Sequence, residues 1–568
     1  MNFSVSDIIP QSFRRRGIWV VVTIFMRAIL NFVGLAMLLP VLLLILDTDS
    51  VSTNPYLNRL YVLSGIPDEK WFIAAVCVAV IAVIALKCLI NLLLYRAERD
   101  YTYSLYGYLS RRLYIDYHNR GLQFIKSSNS AVLSRNVNAI CLTFVAGILR
   151  PAATIISETT LFLLLFVALA FYDITAAVLV IAIFLPSIWL YIRMVKGRLN
   201  DYGEAENRAQ RAKARNVADT YRGYSDIEIS NAFPQMLERF DRTMEEVIKM
   251  RARNATISIL PQMFTEIGLA VGMAVMVIIN LGIEGNRMKI LFGVFAVAAL
   301  RLMPSVRNIM SAWSSLRYNG FTIPIIRDAR IDETDTAVEI SDERFDFRKE
   351  IATEGLTFRF DDGSAPVLRN LSIKIAKGER LGIRGRSGSG KTTLFNLLLG
   401  LYEPTEGAIY IDGERLSAEN RRKWQNTIGY VSQNIFLTDG TIIDNIALGV
   451  RPDKIDRASA DKAIDMADLR AFTDSLPNGA DTRVGECGSR LSGGQRQRIG
   501  IARALYKQAD ILFFDEATSS LDNATERNIN EAIEELSQSN KDLTIVIIAH
   551  RDSSLDWCDR IIDIDDYE

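Results

Sequence analysis

Neither sign of charge dominates this sequence of 568 residues, which contains 65 Lys and Arg against 66 Asp and Glu. Nucleic-acid binding usually needs a basic excess that faces the phosphates, so a nucleic-acid partner is not expected. Cysteine is also scarce, and no cysteine pair has metal or redox spacing. We therefore interpret all five as packing residues: Cys77, Cys88, Cys141, Cys487 and Cys558.

A cleavable signal peptide is also lacking. The first apolar run, 17–46, follows three arginines, but it is too long for a signal peptide and no small-residue cleavage site follows it. We interpret it as a membrane span, because each such run can cross the ~30 Å hydrocarbon core as a helix. The other predicted spans are 72–95, 138–171, 173–196, 256–283 and 288–312.

The long apolar runs end near residue 315, and strand and helix signals alternate after that point. The sequence therefore predicts an all-α membrane domain of six helices over 1–325, a linker over 326–349 and an α/β domain over 350–568. Long basic segments follow the second and fourth spans, whereas the turns near Asp173 and over 282–289 are short. The positive-inside bias then predicts that both termini and the α/β domain are cytoplasmic.

The segment between the first two spans is predicted to be external and helical. Asn54 suits the cap, Pro55 the first helical position and Gly65 the end. Its apolar residues fall largely on one face, which favours an amphipathic helix lying at the membrane surface. A short loop helix packed against its own spans explains the same pattern equally well.

A phosphate-binding loop follows a predicted strand, 380–384, and precedes a predicted helix, 392–399. It matches G-x-x-x-x-G-K-[ST], in which backbone N–H groups cradle phosphates, Lys391 reaches the β/γ-phosphates and the Thr392 hydroxyl binds Mg²⁺. The sequence therefore predicts an ATP site with Mg²⁺. Its loop residues are Gly385, Arg386, Ser387, Gly388, Ser389, Gly390, Lys391, Thr392 and Thr393.

Two carboxylates stand at the end of a second predicted strand, 511–514, where a parallel sheet exposes its ligands. Asp515 is predicted to hold Mg²⁺, and Glu516 to orient or deprotonate the attacking water. His550 follows another apolar strand, 544–549, at the same sheet edge. A lone histidine usually has no catalytic role, but beside these motifs we predict that His550 contacts the nucleotide.

Leu491-Ser-Gly-Gly-Gln495 completes the set, and residues from about 350 to the end resemble the nucleotide-binding domain of ATP-binding-cassette (ABC) transporters. The six spans resemble the membrane half of the exporter type. The resemblance implies that Ser492, Gly493, Gly494 and Gln495 bind the γ-phosphate held by a partner subunit. It further implies a Mg²⁺-sensing Gln433, a dimer-contact residue Asp522 and a γ-phosphate switch His550.

Phe360 stands where ABC transporters usually have a tyrosine stacked on adenine, and Phe358 competes for this role. All other catalytic positions have the expected residue type. We therefore expect a homodimer with two equivalent composite sites, and not a monomeric ATPase, since one chain supplies half of each site.

The ATPase motifs say nothing about the cargo. Ionisable residues inside spans are better indicators, because each is costly unless it is paired or faces water. The candidates are Arg27, Lys87, Glu158, Glu266 and Arg301. Arg27 is explained equally well as a solvated residue, and the two glutamates as structural partners. Lys87 and Arg301 lie deep in their spans and suit an anionic headgroup.

Arg301-Leu-Met-Pro-Ser305 and the external segment resemble bacterial flippases for lipid-linked oligosaccharides. The resemblance implies a bacterial cytoplasmic membrane and a pyrophosphate-bearing lipid substrate. Gln262 stands near a position where these flippases have an arginine, so a related glycolipid stays open. The alternatives are a drug or peptide exporter and an ATPase-coupled regulator or channel; no N-terminal peptidase-like segment points to a processing peptide exporter.

Overall fold

The computed structural model describes residues 8–37, 55–172, 174–280, 286–329, 342–360, 364–517, 523–549 and 555–567, without the side chains of 286–301 and of several other helical positions. The chain divides into two compact units. The first comprises Met1–Arg120 and Phe124–Ala337, and the second comprises Gly121–Gln123 and Val338–Glu568.

The first unit consists of helices joined by turns, and one of them, Gly121–Ser127, begins with three residues that belong to the second unit. Its helices are α1 (Gln11–Ala36), α2 (Pro55–Ser64), α3 (Glu69–Asn119), α4 (Gly121–Ser127), α5 (Ser130–Arg135), α6 (Cys141–Phe144), α7 (Arg150–Tyr172), α8 (Ile174–Arg222), α9 (Tyr224–Ile229), α10 (Phe233–Asn280), α11 (Asn286–Tyr318) and α12 (Thr322–Arg327). Two π-helical turns, Asn136–Ile140 and Val145–Leu149, join α5, α6 and α7.

Five stretches of the described chain are long and apolar enough to cross a membrane: Gln11–Ala36, Lys70–Asn119, Ser130–Phe171, Val180–Arg222 and Phe233–Val275. They coincide in place with five of the predicted spans. The sixth predicted span falls in α11, whose side chains up to residue 301 lie outside the description, and the first runs on past Met37 into residues that are not described. Large apolar side chains such as Trp19 and Phe171 are exposed, as lipid-facing surfaces require.

The predicted external helix forms as α2, with Pro55 at its first position and Gly65 just after its end at φ 63°. Tyr61 packs edge-on against Phe72 at the start of α3, with ring centroids 5.0 Å apart. Val62 and Leu63 stay exposed. The helix thus combines a packed side with an apolar surface, and its contact with a membrane stays a prediction.

The second unit contains an antiparallel and a parallel sheet. Its strands are β1 (Glu350–Phe358), β2 (Leu368–Leu371), β3 (Lys374–Ala376), β4 (Arg380–Arg384), β5 (Glu406–Ile411), β6 (Glu414–Arg415), β7 (Ile428–Val431), β8 (Ile511–Asp515), β9 (Thr544–Ile548) and β10 (Arg560–Asp563). The antiparallel order is β2-β1-β5-β6 with β3 beside β1, and the parallel order is β10-β4-β9-β8-β7. The carboxyl ends of β4, β8 and β9 therefore meet at one edge.

Helices cover the parallel sheet, and the core between them is apolar. They are α13 (Lys391–Leu398), α14 (Arg421–Thr427), α15 (Ile442–Ile446), α16 (Arg457–Met466), α17 (Arg470–Asp474), α18 (Gly493–Tyr506) and α19 (Asn523–Ser539), with 3₁₀ turns at Pro452–Lys454, Gly479–Asp481, Glu486–Gly488 and Ile564–Tyr567. Phe347 is buried beside Trp424. The packed unit therefore begins ahead of residue 350, inside the segment that the sequence assigned to a linker.

Candidate active site

The phosphate loop connects the carboxyl end of β4 to the first turn of α13, as predicted. Gly388 has φ 90°, and a Cβ there would meet nothing within 4 Å. Gly390 has φ 89°, and its Cβ would lie 2.9 Å from Leu368 Cδ2 and 3.1 Å from the Val367 carbonyl oxygen. Glycine at 388 thus permits the backbone conformation, whereas glycine at 390 also permits close packing.

Lys391 is buried, and its Nζ donates to the carbonyl oxygens of Gly385 and Arg386, each at 2.7 Å. The backbone N–H of Arg386 donates to Asp565 at 3.0 Å, which fixes the start of the loop. Ser389 Oγ is buried without a hydrogen-bond partner among the described residues. Because a buried hydroxyl without a partner is unfavourable, a phosphate oxygen would suit this position.

Asp515 ends β8 and is almost fully buried. The hydroxyl of Tyr430, on the adjacent strand β7, hydrogen-bonds its carboxylate. Burial, together with the charge of Asp515, raises the pKa of Tyr430 well above its usual range, so Tyr430 stays a donor. Asp515, with the exposed Thr392 at the first turn of α13, offers the oxygen ligands that Mg²⁺ prefers.

Glu516 has φ 50°, a left-handed conformation that costs a non-glycine residue about 1–3 kcal/mol. Two hydrogen bonds hold the backbone of Glu516. Its N–H donates to the Ile548 carbonyl oxygen at 3.0 Å, and Gln497 Nε2 donates to the Glu516 carbonyl oxygen at 3.2 Å. Gln433 Nε2 donates to Glu516 Oε2 at 2.6 Å. The structure therefore joins the predicted Gln433 and Glu516 directly.

Sequence reasoning missed Gln497 and Tyr430. Gln497 is the buried polar residue on the otherwise apolar face of α18, a signal that helical periodicity supplies. Tyr430 became visible only in the structure, because nothing in the chain order shows that β7 lies beside β8.

Ser492 caps α18, as the predicted helix start requires. Its Oγ accepts from the Gln495 N–H at 3.2 Å, while Gln495 Oε1 accepts from the Ser492 N–H at 2.8 Å. This reciprocal capping box fixes the first turn. Ser492 and Gly493 are exposed, so the positive end of the helix dipole is accessible to an anion from outside the unit.

The two aromatic residues before the phosphate loop, Phe358 and Phe360, differ in their exposure to solvent. Phe358 is 2% exposed and stacks on Tyr402, with ring centroids 5.0 Å apart at 10°. Phe360 is 41% exposed and contacts both rings edge-on. A buried ring has no free face for a base, so only Phe360 is suited to stack on adenine. Asp522 and His550 lie outside the described residues.

The candidate charges of the helical unit have varied surroundings. Arg27 forms an ion pair with Glu98 and lies over the Tyr95 ring, so it is not simply solvated. Glu158 accepts from Ser305 Oγ at 2.8 Å and from Asn308 Nδ2 at 2.9 Å.

Glu266 accepts from Gln262 Nε2 at 2.8 Å. Lys87 is half-buried beside Gly34: a Cβ on that glycine would lie 2.9 Å from Lys87 Cδ and 3.2 Å from its Nζ. No ion pair to Lys87 occurs within the described ranges. The Arg301 side chain lies outside them.

A phosphate loop, two carboxylates at one strand end and an exposed helix N-terminus on one α/β unit define a nucleotide-hydrolysing domain. Joined to a unit of membrane-length helices, it indicates a transport ATPase.

Comparisons with known proteins agree. The family model for ABC transporters matches residues 368–519. The ATP-dependent lipid A-core flippase of Burkholderia orbicola (strain AU 1054) is 30% identical over 520 residues, which are 90% of this chain and 84% of that protein. The flippase of the same name from Ralstonia nicotianae (strain ATCC BAA-1114 / GMI1000) is 33% identical over 413 residues, covering 72% of this chain and 68% of that protein.

Among solved structures, a bacterial Atm1-family ABC exporter with ATP bound has a TM-score of 0.77 at 22% identity. The match covers 97% of this chain and 93% of the exporter chain. This likeness supports the fold. The chain belongs to the ABC transporter family and is a half-size exporter, in which one helical membrane domain is fused to one ATP-hydrolysing domain. The predicted fold class and ATPase activity are confirmed.

Proposed function

We propose that this exporter is a flippase that moves a lipid-linked oligosaccharide, or a related glycolipid, across a bacterial cytoplasmic membrane. Lys87 carries the proposal. It lies about 15 residues, ~22 Å, below the predicted outer end of its span, and no ion pair engages it within the described chain. A cation at that depth is costly unless it meets water or an anion, and a phosphate-bearing headgroup supplies the anion.

The names of the relatives also support a glycolipid, since those proteins are called lipid A-core flippases. The exposed apolar residues of α2 are consistent with a helix that meets a lipid tail at the outer surface. In this proposal both termini and the nucleotide site are cytoplasmic, because the basic segments follow the second and fourth spans.

In the ATPase domain we assign the base to Glu516, the Mg²⁺ ligands to Thr392, Asp515 and Gln433, and the γ-phosphate switch to His550. Bound Mg²⁺ would neutralise charge that develops on the phosphates. Gln433 orients the Glu516 carboxylate through its 2.6 Å hydrogen bond, and Gln497 keeps the backbone of Glu516 in its left-handed conformation.

The proposed working unit is a homodimer, because the exposed N-terminus of α18 needs a phosphate that the phosphate loop of a second copy presents. Cysteines at Ser387 and Ser492 in an otherwise cysteine-free chain should crosslink between subunits when ATP is bound. Crosslinks confined to one chain would exclude composite sites.

The cargo is tested by reconstituting the protein in proteoliposomes with a polyprenyl-pyrophosphate glycan, lipid A-core, or a drug or peptide. We expect ATP-dependent flipping of the pyrophosphate glycan. Arg301→Ala should reduce it by about ten- to a hundredfold, since a charge-assisted contact contributes ~1.5–3 kcal/mol. Mg-ATP binding and thermal stability should stay unchanged.

The other possible results lead to different conclusions. Flipping of lipid A-core alone would show that the substrate is that glycolipid. Transport of the drug or peptide alone would show that the protein is a drug or peptide exporter and not a flippase. If Arg301 instead neutralises Glu158 or Glu266, Arg301→Ala would destabilise the protein, and removal of both charges would restore its stability.

A further inference from the structure

A cavity of about 700 Å³ lies in the helical unit, among the distal ends of α3, α8 and α12. Its charged lining consists of Arg120, Arg211, Arg215, Arg327 and a single carboxylate, Asp328. This positive surplus is unusual for a chain whose total charge is balanced. The cavity is thus a local site of positive potential.

Arg120 and Arg327 already have partners within the protein. Arg120 forms an ion pair with Asp116 at 2.8 Å and a longer one with Asp328 at 3.4 Å. Arg211 and Arg215 differ, since no ion pair reaches either of them within the described residues. They lie one turn apart on α8, where like charges repel each other. An anion between them would relieve that repulsion.

A further observation points to a missing anion. The Nε of Arg211, a residue that lines the cavity, is a buried donor without a hydrogen-bond partner among the described residues, and a phosphate oxygen would accept from it. The protein alone therefore leaves both charge and hydrogen-bonding capacity uncompensated in this cavity.

The position of the cavity favours a soluble ligand over a lipid headgroup. Helix α3 is continuous from Glu69 to Asn119, and Tyr117 of the cavity lies about 22 residues, or ~33 Å, beyond the predicted inner end of its span near Tyr95. The polar layer of a bilayer extends only about 5–8 Å beyond the hydrocarbon. A ligand is therefore expected to come from solution.

We propose that this cavity binds a small soluble anion bearing two or more phosphate groups, held by Arg211 and Arg215. One guanidinium group can bind two phosphate oxygens at once. The volume of the cavity suits a ligand between pyrophosphate and a nucleotide in size. Since the lining comes from α3, α4, α5, α8, α12 and the π-helical turn after α5, a bound anion would join these elements and stabilise the unit.

The test uses the purified full-length protein with inorganic pyrophosphate as the probe, at constant ionic strength set with sodium chloride. Because pyrophosphate can also enter the nucleotide site, every variant carries Lys391→Ala. Calorimetric titration should show saturable binding at one site per chain, accompanied by a higher melting temperature. Arg211→Gln with Arg215→Gln should weaken the affinity at least tenfold and remove the melting shift.

The matched control is Arg208→Gln on the same helix. Arg208 pairs with Glu204 at 3.7 Å and does not line the cavity, so this change should leave binding unaltered. If the double variant does not fold, Arg215→Gln alone removes an exposed side chain and tests the same contact.

Equal affinity for pyrophosphate in the parent and in the arginine variants would overturn the proposal. Binding of pyrophosphate that never saturates would also overturn it. A lipid source is tested by repeating the titration in nanodiscs of neutral lipid and of phosphatidylglycerol. Displacement of pyrophosphate by the anionic lipid would show that the ligand is a headgroup and that the soluble anion is wrong.

Discussion

The two units differ in where they place their apolar side chains. In the nucleotide-binding unit, every residue of β8 and β9 is buried, and few large apolar residues, such as Phe360 and Phe436, are exposed. In the helical unit, Trp19, Ile81 and Phe171 are each more than 60% exposed. The nucleotide-binding unit excludes water from its interior, whereas the helical unit presents an apolar surface that suits a lipid environment.

The units also differ in how their chemistry is encoded. The ATPase machinery consists of short contiguous motifs whose backbone is part of the function, such as the phosphate loop between β4 and α13. The helical unit instead carries isolated polar residues on apolar helices. Their role depends on neighbours distant in sequence, as the contact of Lys87 with Gly34 shows. Substitutions should therefore act locally in the nucleotide-binding unit and through packing or substrate contact in the helical unit.

The largest expected effect is in the ATPase motif. Glu516→Gln should lower turnover by about 10²–10⁴-fold, because it removes the general base but keeps the shape and the Asp515 site. Mg-ATP binding should persist and yield a trapped ATP-bound dimer, whereas Lys391→Ala should lose binding. Hydrolysis and nucleotide binding by the purified protein check both variants. A Glu516→Gln protein that hydrolyses ATP near the parental rate would disprove the assignment.

A smaller effect is expected in the membrane helices. Lys87→Ala should reduce glycolipid flipping about ten- to a hundredfold through the loss of a charge-assisted contact, while Lys87→Arg should retain most of it. Flipping in proteoliposomes is the measurement, with the melting temperature followed in parallel. If Lys87→Ala mainly lowers the melting temperature and Lys87→Met restores it, the side chain only fills the space beside Gly34 and the headgroup contact is excluded.

The smallest expected effect on activity concerns Phe360, which should respond differently from its neighbour Phe358. Phe360→Ala should raise the KM for ATP about tenfold, equivalent to ~1.4 kcal/mol of lost stacking, and Phe360→Tyr should leave it unchanged. Phe358→Ala should instead destabilise the domain by about 3–5 kcal/mol, because it empties a buried position against Tyr402. An unaltered KM in Phe360→Ala would remove this residue from the adenine site.

The sequence alone determined the division into membrane helices and an ATPase domain, the phosphate loop and the two carboxylates at the end of one strand. Such features are readable because each depends on residues close together in the chain, through periodicity, turns and helix caps. Nothing in the sequence indicated that Phe347, in the predicted linker, joins the core of the nucleotide-binding unit, because that core is formed by distant residues.

Only the tertiary structure decided which residues meet. Strand order brought Tyr430 to Asp515, the packing of α18 brought Gln497 to Glu516, and burial separated Phe358 from Phe360. The arginine-lined cavity likewise joins residues about a hundred positions apart. Such long-range contacts leave no local pattern, because they depend on how whole elements pack and not on the residues next to them in the chain.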